Sequence, residues 1–346
     1  SPILDITTAQ AKALEASLTK ESISKNTFTV IPACRESFSE EGLRTSRNDN
    51  LRGFINDRIS NSQLSTLNSQ LFFRVFVGMR YSHPLIENVI PQIYNDGIRK
   101  LIAISLYPQY SLATSGSALD KFKEALINSY QPDKTEVAKI SSSFEYHGES
   151  SCTVHSSQFT VHGILSWYAH PLYIEALVDV IKKGLKSFNA DSPIHPVRDE
   201  SLTGFTHSPV YVLFSAHSLP EKFIDEGDPY VRHIERTIEE IVKRMPIKWD
   251  LSYQSKSGPV KWLGPSTDEK LKELAGRNVK NILIVPISFV SDHIETLYEI
   301  DILYMQMAKG LGINLKRTES LNTHPLFIEA LKDIVIKNVK ELGWTE

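Results

Sequence analysis

Five strand-like runs, each stopping in a cluster of polar or aromatic residues, do most to limit the folds open to this chain. Pro209-Val210-Tyr211-Val212-Leu213-Phe214-Ser215 and Asn281-Ile282-Leu283-Ile284-Val285-Pro286-Ile287 are continuously apolar rather than alternating, the pattern of a strand buried on both faces. Leu71 to Val77, Leu101 to Leu106 and Trp249 to Tyr253 complete the set. Helical patterns separate them: Pro84 to Asp96, Leu119 to Tyr130, Leu172 to Phe188, Asp228 to Arg244 and Asp268 to Gly276, with Pro325 to Leu342 closing the chain. Alternation of this kind predicts an α/β fold of parallel sheets flanked by helices and built from βαβ units. At 346 residues the chain has room for two such units with full-sized cores. The stretch Leu202 to Ser208 divides Arg/Asp-rich from apolar sequence, which predicts two Rossmann-like domains, Ser1 to His207 and Ser208 to Glu346, meeting at a cleft.

The ends of the strands carry the chemistry. The run ending at Ile287 continues into Ser288-Phe289-Val290-Ser291-Asp292-His293-Ile294-Glu295-Thr296-Leu297-Tyr298-Glu299. On a regular helix the spacing of Asp292, Glu295 and Glu299 (i, i+3, i+7) puts three carboxylates on one face. A helix dipole favours acidic residues in the first turn, but Glu299 lies about two turns in, where that effect has faded. A metal ion or a proton against the row would satisfy it. The run ending at Ser215 continues into Ala216-His217-Ser218-Leu219-Pro220, which leaves His217 at the strand's carboxyl end. A lone histidine is more often a packing residue than a ligand; this one shares a strand-end position with the acidic segment, where open α/β sheets bind ligands. Asp228 then reads as an N-cap, with Pro229 at the first helical position. The other strand ends are Arg80-Tyr81-Ser82-His83-Pro84, Tyr107-Pro108-Gln109-Tyr110-Ser111 and Gln254-Ser255-Lys256-Ser257-Gly258-Pro259. Together they predict a cleft that is both aromatic and polar, suited to a flat aromatic ligand and a cation.

These segments, with Gly78-Met79-Arg80-Tyr81-Ser82-His83-Pro84-Leu85, Trp262-Leu263-Gly264-Pro265-Ser266-Thr267-Asp268-Glu269 and Ser291-Asp292-His293-Ile294-Glu295-Thr296-Leu297, resemble the ferrochelatase family, whose members insert ferrous iron into protoporphyrin IX to make haem. The resemblance runs from about Val75 to Ser129 and from Val210 to the C-terminus. It implies a chelatase-type fold with the last helix, residues 325–342, crossing back onto the first domain. It implies His217 and Glu295 at the catalytic centre, leaving open which handles metal and which handles protons. Arg80, Tyr81 and Tyr107 resemble residues on the opposite face of the porphyrin, with Arg80 available to a propionate or to Glu295. Tyr253, Ser255, Trp262 and Phe289 resemble porphyrin contacts, although core packing explains Trp262 and Phe289 equally well. His293, two positions from Glu295, points in a different direction on a regular helix and reads as a supporting partner rather than a co-ligand, unless a π-bulge reorients this turn. Asp292 and Glu299, with Glu295 at the inner end, are expected to stage hydrated metal. Peripheral contact with a membrane, on the matrix side of a mitochondrial inner membrane with plastid or cytoplasm as alternatives, and a homodimer, follow from the same resemblance. A chelatase for another metal or tetrapyrrole, and a porphyrin-binding protein without turnover, stay open.

The family opens with an apolar strand, an Asn-Met-Gly-Gly-Pro turn and a porphyrin-binding lip. Here Ser1-Pro2-Ile3 resembles the middle of a later Gly-Gly-Gly-Ser-Pro-Ile element, so the first sheet is expected to lack a strand and expose an edge. Some members hold an iron–sulfur cluster through a mid-chain cysteine and a C-terminal cysteine group. Leu112 occupies the first position and no such group precedes Glu346, so no cluster is expected, nor any cofactor beyond substrate iron. The 2 cysteines, Cys34 and Cys152, do not make a disulfide scaffold or a zinc site of their own. A net charge of −3 gives no reason to expect a nucleic-acid partner. Residues 36–69, rich in Ser, Asn, Arg and Asp, and residues 141–160, Ser-rich with His147, Cys152 and His155 and followed by His162, read as inserted loops whose histidines are solvated.

Overall fold

The computed structural model describes residues 2–19, 27–33, 73–143, 150–190 and 209–344. The chain enters through helix α1 (Ile3–Thr19) and builds a first sheet from β1 (Thr27–Ala33), β2 (Phe73–Met79), β3 (Lys100–Ile104), β4 (Ser151–His155) and β5 (Thr160–Ile164), in the order β2-β1-β3-β5-β4. All neighbours are parallel except β4, which runs antiparallel to β5 at the edge. Parallel pairing needs long crossovers. Helix α2 (Ile86–Asn95) supplies one; a short π-helix, π1 (Leu112–Gly116), running into α3 (Ser117–Tyr130) and then α4 (Lys134–Ser143), supplies the next.

Helix α5 (Pro171–Ala190) leads towards a second sheet of β6 (Val210–His217), β7 (Trp249–Gln254), β8 (Asn281–Pro286) and β9 (Asn314–Arg317), wholly parallel in the order β7-β6-β8-β9. The inner strands β6 and β8 are the two continuously apolar runs, and Val212 to Phe214 and Ile282 to Val285 are buried throughout. Helices α6 (Glu221–Asp225), α7 (Tyr230–Arg244) and α8 (Thr267–Gly276) make the crossovers. After β8 comes a long π-helix, π2 (Glu295–Tyr304), running into α9 (Met305–Gly310); α10 (Pro325–Glu341) ends the fold. Helix α10 packs on α5 and α1, and α5 packs on α7 and β8. Gly184 permits that last approach, because a Cβ there would lie 2.8 Å from Leu283 Cδ1. One apolar core therefore runs from Ile102 and Ile104 of the first sheet, through α5 and α10, to Phe214, Leu283 and Val285 of the second.

Two expectations are corrected, and one strand lies outside the expected set: β1, which lies between β2 and β3 and pairs with both. Its sequence, with Pro32 in mid-run and polar segments on either side, lacks a strong strand signature. Residues 36–69 lie outside the described residues, but the described part of 141–160 is not a loop. It holds the end of α4 and the antiparallel strand β4, and nearby His162 is a buried side chain bonded to Thr153 and Asn338 (2.7 Å each), not a solvated one. Helix α7 begins one residue later than expected. The carboxylate of Asp228 accepts from Tyr230 N (3.0 Å) and also reaches across to Ser111 Oγ and Leu112 N (2.8 Å each), so it joins the two halves at the back of the cleft.

Candidate active site

The cleft opens at the carboxyl ends of β3, β6, β7 and β8, and its lining includes Tyr107, Gln109, Ala113, Thr114, His217, Tyr230, Ser255, Trp262, Ser288, Phe289 and Glu295. His217 is the last residue of β6. Its backbone is fixed on both sides: its N–H donates to Ser288 Oγ (2.9 Å), and its carbonyl accepts from the Tyr230 hydroxyl (3.1 Å). The ring donates from Nδ1 to Glu295 Oε2 at 2.8 Å. With Nδ1 carrying that proton, the neutral ring has an unprotonated Nε2 on a side chain that lines the cleft.

Glu295 is 3% exposed at the first turn of π2. Burial alone would raise its pKa, but the charge and hydrogen bonding of His217, with a smaller contribution from His293, hold it well below the usual carboxylate range. His293 is equally buried. Its Nδ1 donates to the Ser291 carbonyl (3.1 Å), which turns Nε2 towards Glu295 Oε2 at 3.8 Å, and the Phe289 ring lies 4.2 Å from its own. His293 thus lies beside Glu295, but its Nε2 is buried without a hydrogen-bond partner among the described residues.

Glu299 behaves oppositely. Burial, and then the charge of Glu295, push its pKa up against the hydrogen bond from Ser255. The Ser255 hydroxyl lies between the two carboxylates, 2.8 Å from Glu299 Oε2 and 3.1 Å from Glu295 Oε2. With one proton the hydroxyl can donate to only one of them, so both contacts are satisfied when it donates to ionised Glu295 and accepts from a protonated Glu299, which agrees with the opposed shifts. Ser255 reaches this position with φ of +65°, a left-handed backbone that costs a serine energy and is typical of functional sites.

The expected row of three carboxylates is not what forms. The segment winds as a π-helix, with i→i+5 bonding, so the spacing of a regular helix does not apply. Glu295 and Glu299 come together over Ser255. Asp292, before the first turn, is held elsewhere: it accepts from Arg317 Nη1 (2.9 Å), Ser320 Oγ (2.8 Å) and Asn322 Nδ2 (2.9 Å). Arg317 in turn makes a bidentate pair with Asp301. Burial opposes the charge on Asp292, but these donors outweigh it and lower its pKa.

Among the remaining expected residues, Trp262 and Phe289 line the cleft, and the Trp262 Nε1 is buried without a hydrogen-bond partner among the described residues. Tyr107 lines both the main cleft and a recess formed with Arg80, Tyr81, Thr114 and Ser117. Arg80 stacks over Tyr81 (4.7 Å) and donates to Ser117 Oγ (3.3 Å), so it does not pair with Glu295. Tyr253 is a correction. It is 5% exposed, belongs to the main core and does not line the cleft; along a strand its side chain points away from that of Gln254. Gln109, Tyr230 and Ser288 line the cleft without having been singled out, although Gln109 and Ser288 lie within motifs quoted above and Tyr230 within the helix expected from Asp228 to Arg244.

The family model for ferrochelatase matches residues 57–149 and 140–339. Ferrochelatase from Geotalea uraniireducens is 43% identical over 269 residues, covering 77% of this chain and 71% of the relative. Ferrochelatase from a Sulfurihydrogenibium species is 39% identical over 268 residues, covering 77% and 73%. SirB from Bacillus subtilis, solved with Fe3+, superposes with a TM-score of 0.50 at 11% identity, covering 90% of this chain and 95% of that one, a likeness of fold. Two helix-flanked sheets with a polar, aromatic cleft at their strand ends define a chelatase-type protein. The chain belongs to the ferrochelatase family.

Proposed function

We infer that this protein inserts Fe2+ into protoporphyrin IX, releasing two pyrrole protons and giving protohaem, the chemistry for which its family is named. The observation that carries the residue-level reading is the His217–Glu295 pair at the cleft. A planar porphyrin hides its lone pairs in the ring plane, so a site must grip the rim and present a base to one face. In this reading His217 Nε2 takes a pyrrole proton, and the buried Glu295 carboxylate stabilises the imidazolium that results. Either group also has the chemistry to hold incoming iron. Glu299, joined to Glu295 through Ser255, is the next acidic position for metal or proton. Arg80, Tyr81 and Tyr107 grip the opposite face, while Trp262 and Phe289 stack at the rim. The macrocycle and the iron keep their oxidation states, so the reaction calls for no redox cofactor and the proposal includes no iron–sulfur cluster.

The relatives named above are bacterial, and no described helix is long and apolar enough to cross a membrane. Peripheral membrane contact, a mitochondrial location and a homodimer are proposals, to be read by fractionation and by mass in solution. The function is tested by an anaerobic insertion assay with Fe2+ and, separately, Zn2+, alongside porphyrin fluorescence quenching. Turnover with both metals is expected; quenching without turnover would make the protein a porphyrin binder.

A further inference from the structure

Beneath the cleft lies a buried polar cluster with no direct access to a ligand. Ser215, Ser252, Gln254 and Thr267 are each at most 1% exposed, between β6, β7 and the start of α8. Gln254 is its outlet towards π2. One end of its amide meets the Ser215 hydroxyl at 2.7 Å; the other lies 3.0 Å from the backbone carbonyl of Glu295 and 3.3 Å from Glu299 Oε2. A carbonyl oxygen only accepts, so the end facing π2 must be the NH2 and the end facing Ser215 the oxygen. The orientation is fixed from behind, since Ser215 Oγ, Thr267 Oγ1 and Ser252 Oγ form a chain with 3.0 Å links. The cluster therefore touches π2 at its first residue and at Glu299.

A π-helix is a rare arrangement, found mostly as short insertions at functional sites. Here one neutral amide bonds the backbone at position 295 and the side chain at position 299, which ties the rotation of one about the helix axis to that of the other. Gln254 does not line the cleft, although its neighbour Ser255 does. We propose that Gln254 is a positioning residue that holds π2 in register, so that Glu295 faces His217 and shares Ser255 with Glu299. This rests on the chelatase reading for its kinetic consequence only; the structural claim stands apart from it.

The test compares the wild-type enzyme with Gln254→Leu, which fills the space without the amide, and Gln254→Glu, which keeps a donor when protonated. Hydrogen–deuterium exchange is read for the segment 295–304, with the β6 and β8 segments as internal controls and a melting curve for each variant. Gln254→Leu is expected to speed exchange of 295–304 at least 10-fold without change in β6 or β8. It should lower kcat about 10- to 100-fold and raise the apparent KM for Zn2+, with the porphyrin dissociation constant held within twofold. Gln254→Glu should approach wild-type exchange and kcat as the pH falls. Unchanged exchange in 295–304 for a folded Gln254→Leu overturns the positioning claim. Faster exchange with normal kcat overturns its catalytic consequence, and so does a fall in kcat matched by lost porphyrin binding. If the wild type itself inserts no metal, the chelatase reading fails, and the exchange measurement still decides the structural claim.

Discussion

On the wall of the cleft supplied by β6, β7, β8 and π2, the polar groups around His217 are tied to one another. Its N–H, carbonyl and Nδ1 are each engaged, Glu295 and Glu299 share Ser255, and Gln254 bonds to π2 from below. The facing wall, from β2, β3 and π1, is looser: Arg80 has a stacking contact and one long hydrogen bond, Tyr81 is 38% exposed and Leu112 is 50% exposed. Both walls rise from strand ends and both include a π-helix, so architecture alone does not separate them. The difference is pre-organisation. A group that must take a proton at a fixed point is worth most when it cannot move, whereas groups that grip a ring rim can adapt to it.

If that division is right, substitutions on the two walls fail differently. Glu295→Gln should produce the largest effect, a fall in kcat of roughly 1000-fold with porphyrin affinity nearly unchanged, measured by metal insertion and fluorescence titration. The same variant has a stability signature. A carboxylate with a depressed pKa contributes stability above its ordinary value of 4.5 and loses it as the pH falls through the lower folded value. Glu295→Gln should therefore melt below the wild type at pH 7, with the gap closing in acid. Asp292→Ala removes the partner of Arg317 and the acceptor for Ser320 and Asn322; it should cost roughly 1–3 kcal/mol by urea unfolding and leave the metal KM unaltered. A raised metal KM for Asp292→Ala would return it to the metal path. Arg80→Ala should weaken porphyrin binding roughly 5- to 10-fold with a smaller change in kcat; a loss confined to kcat would move Arg80 to the chemical wall. Glu299→Gln is the mildest. It should raise the metal KM a few-fold. Because the Glu299 pKa is raised, ionisation is a net cost as the pH rises through it, so the variant should melt at or above the wild type at pH 8, with the difference gone below about 4.5.

Much of the second sheet was legible in the sequence because β6 and β8 carry the unbroken apolar stretches Val212 to Phe214 and Ile282 to Val285, buried on both faces. His217 was legible because Pro220 stops the strand just beyond it. What escaped was structure whose signal lies in distant partners. Helix α1 buries Ile3, Leu14 and Leu18 but also Thr7 and Gln10, which breaks the apolar stripe. Gln10 is accommodated because Ser291 and Asn322, 281 and 312 residues away in sequence, accept its amide protons (2.9 and 2.8 Å). The acidic segment was found but its geometry was misread, since no residue pattern announces i→i+5 bonding. Asp292 was misread for the same reason that Gln10 was missed: Arg317, Ser320 and Asn322 become its neighbours only once β9 and the turn after it are in place. Tyr253 and Gln254 are adjacent and strand alternation separates them, yet neither lines the cleft; Ser255, just beyond the strand, does, and the sequence does not announce that.

The most direct test of this account is single-turnover metal insertion by His217→Ala with porphyrin already bound, followed by absorbance under anaerobic conditions. The account predicts at least a 1000-fold loss of the insertion rate, with porphyrin fluorescence quenched as in the wild type. Insertion within tenfold of the wild-type rate would contradict it and remove the His217–Glu295 pair from the centre of the reaction.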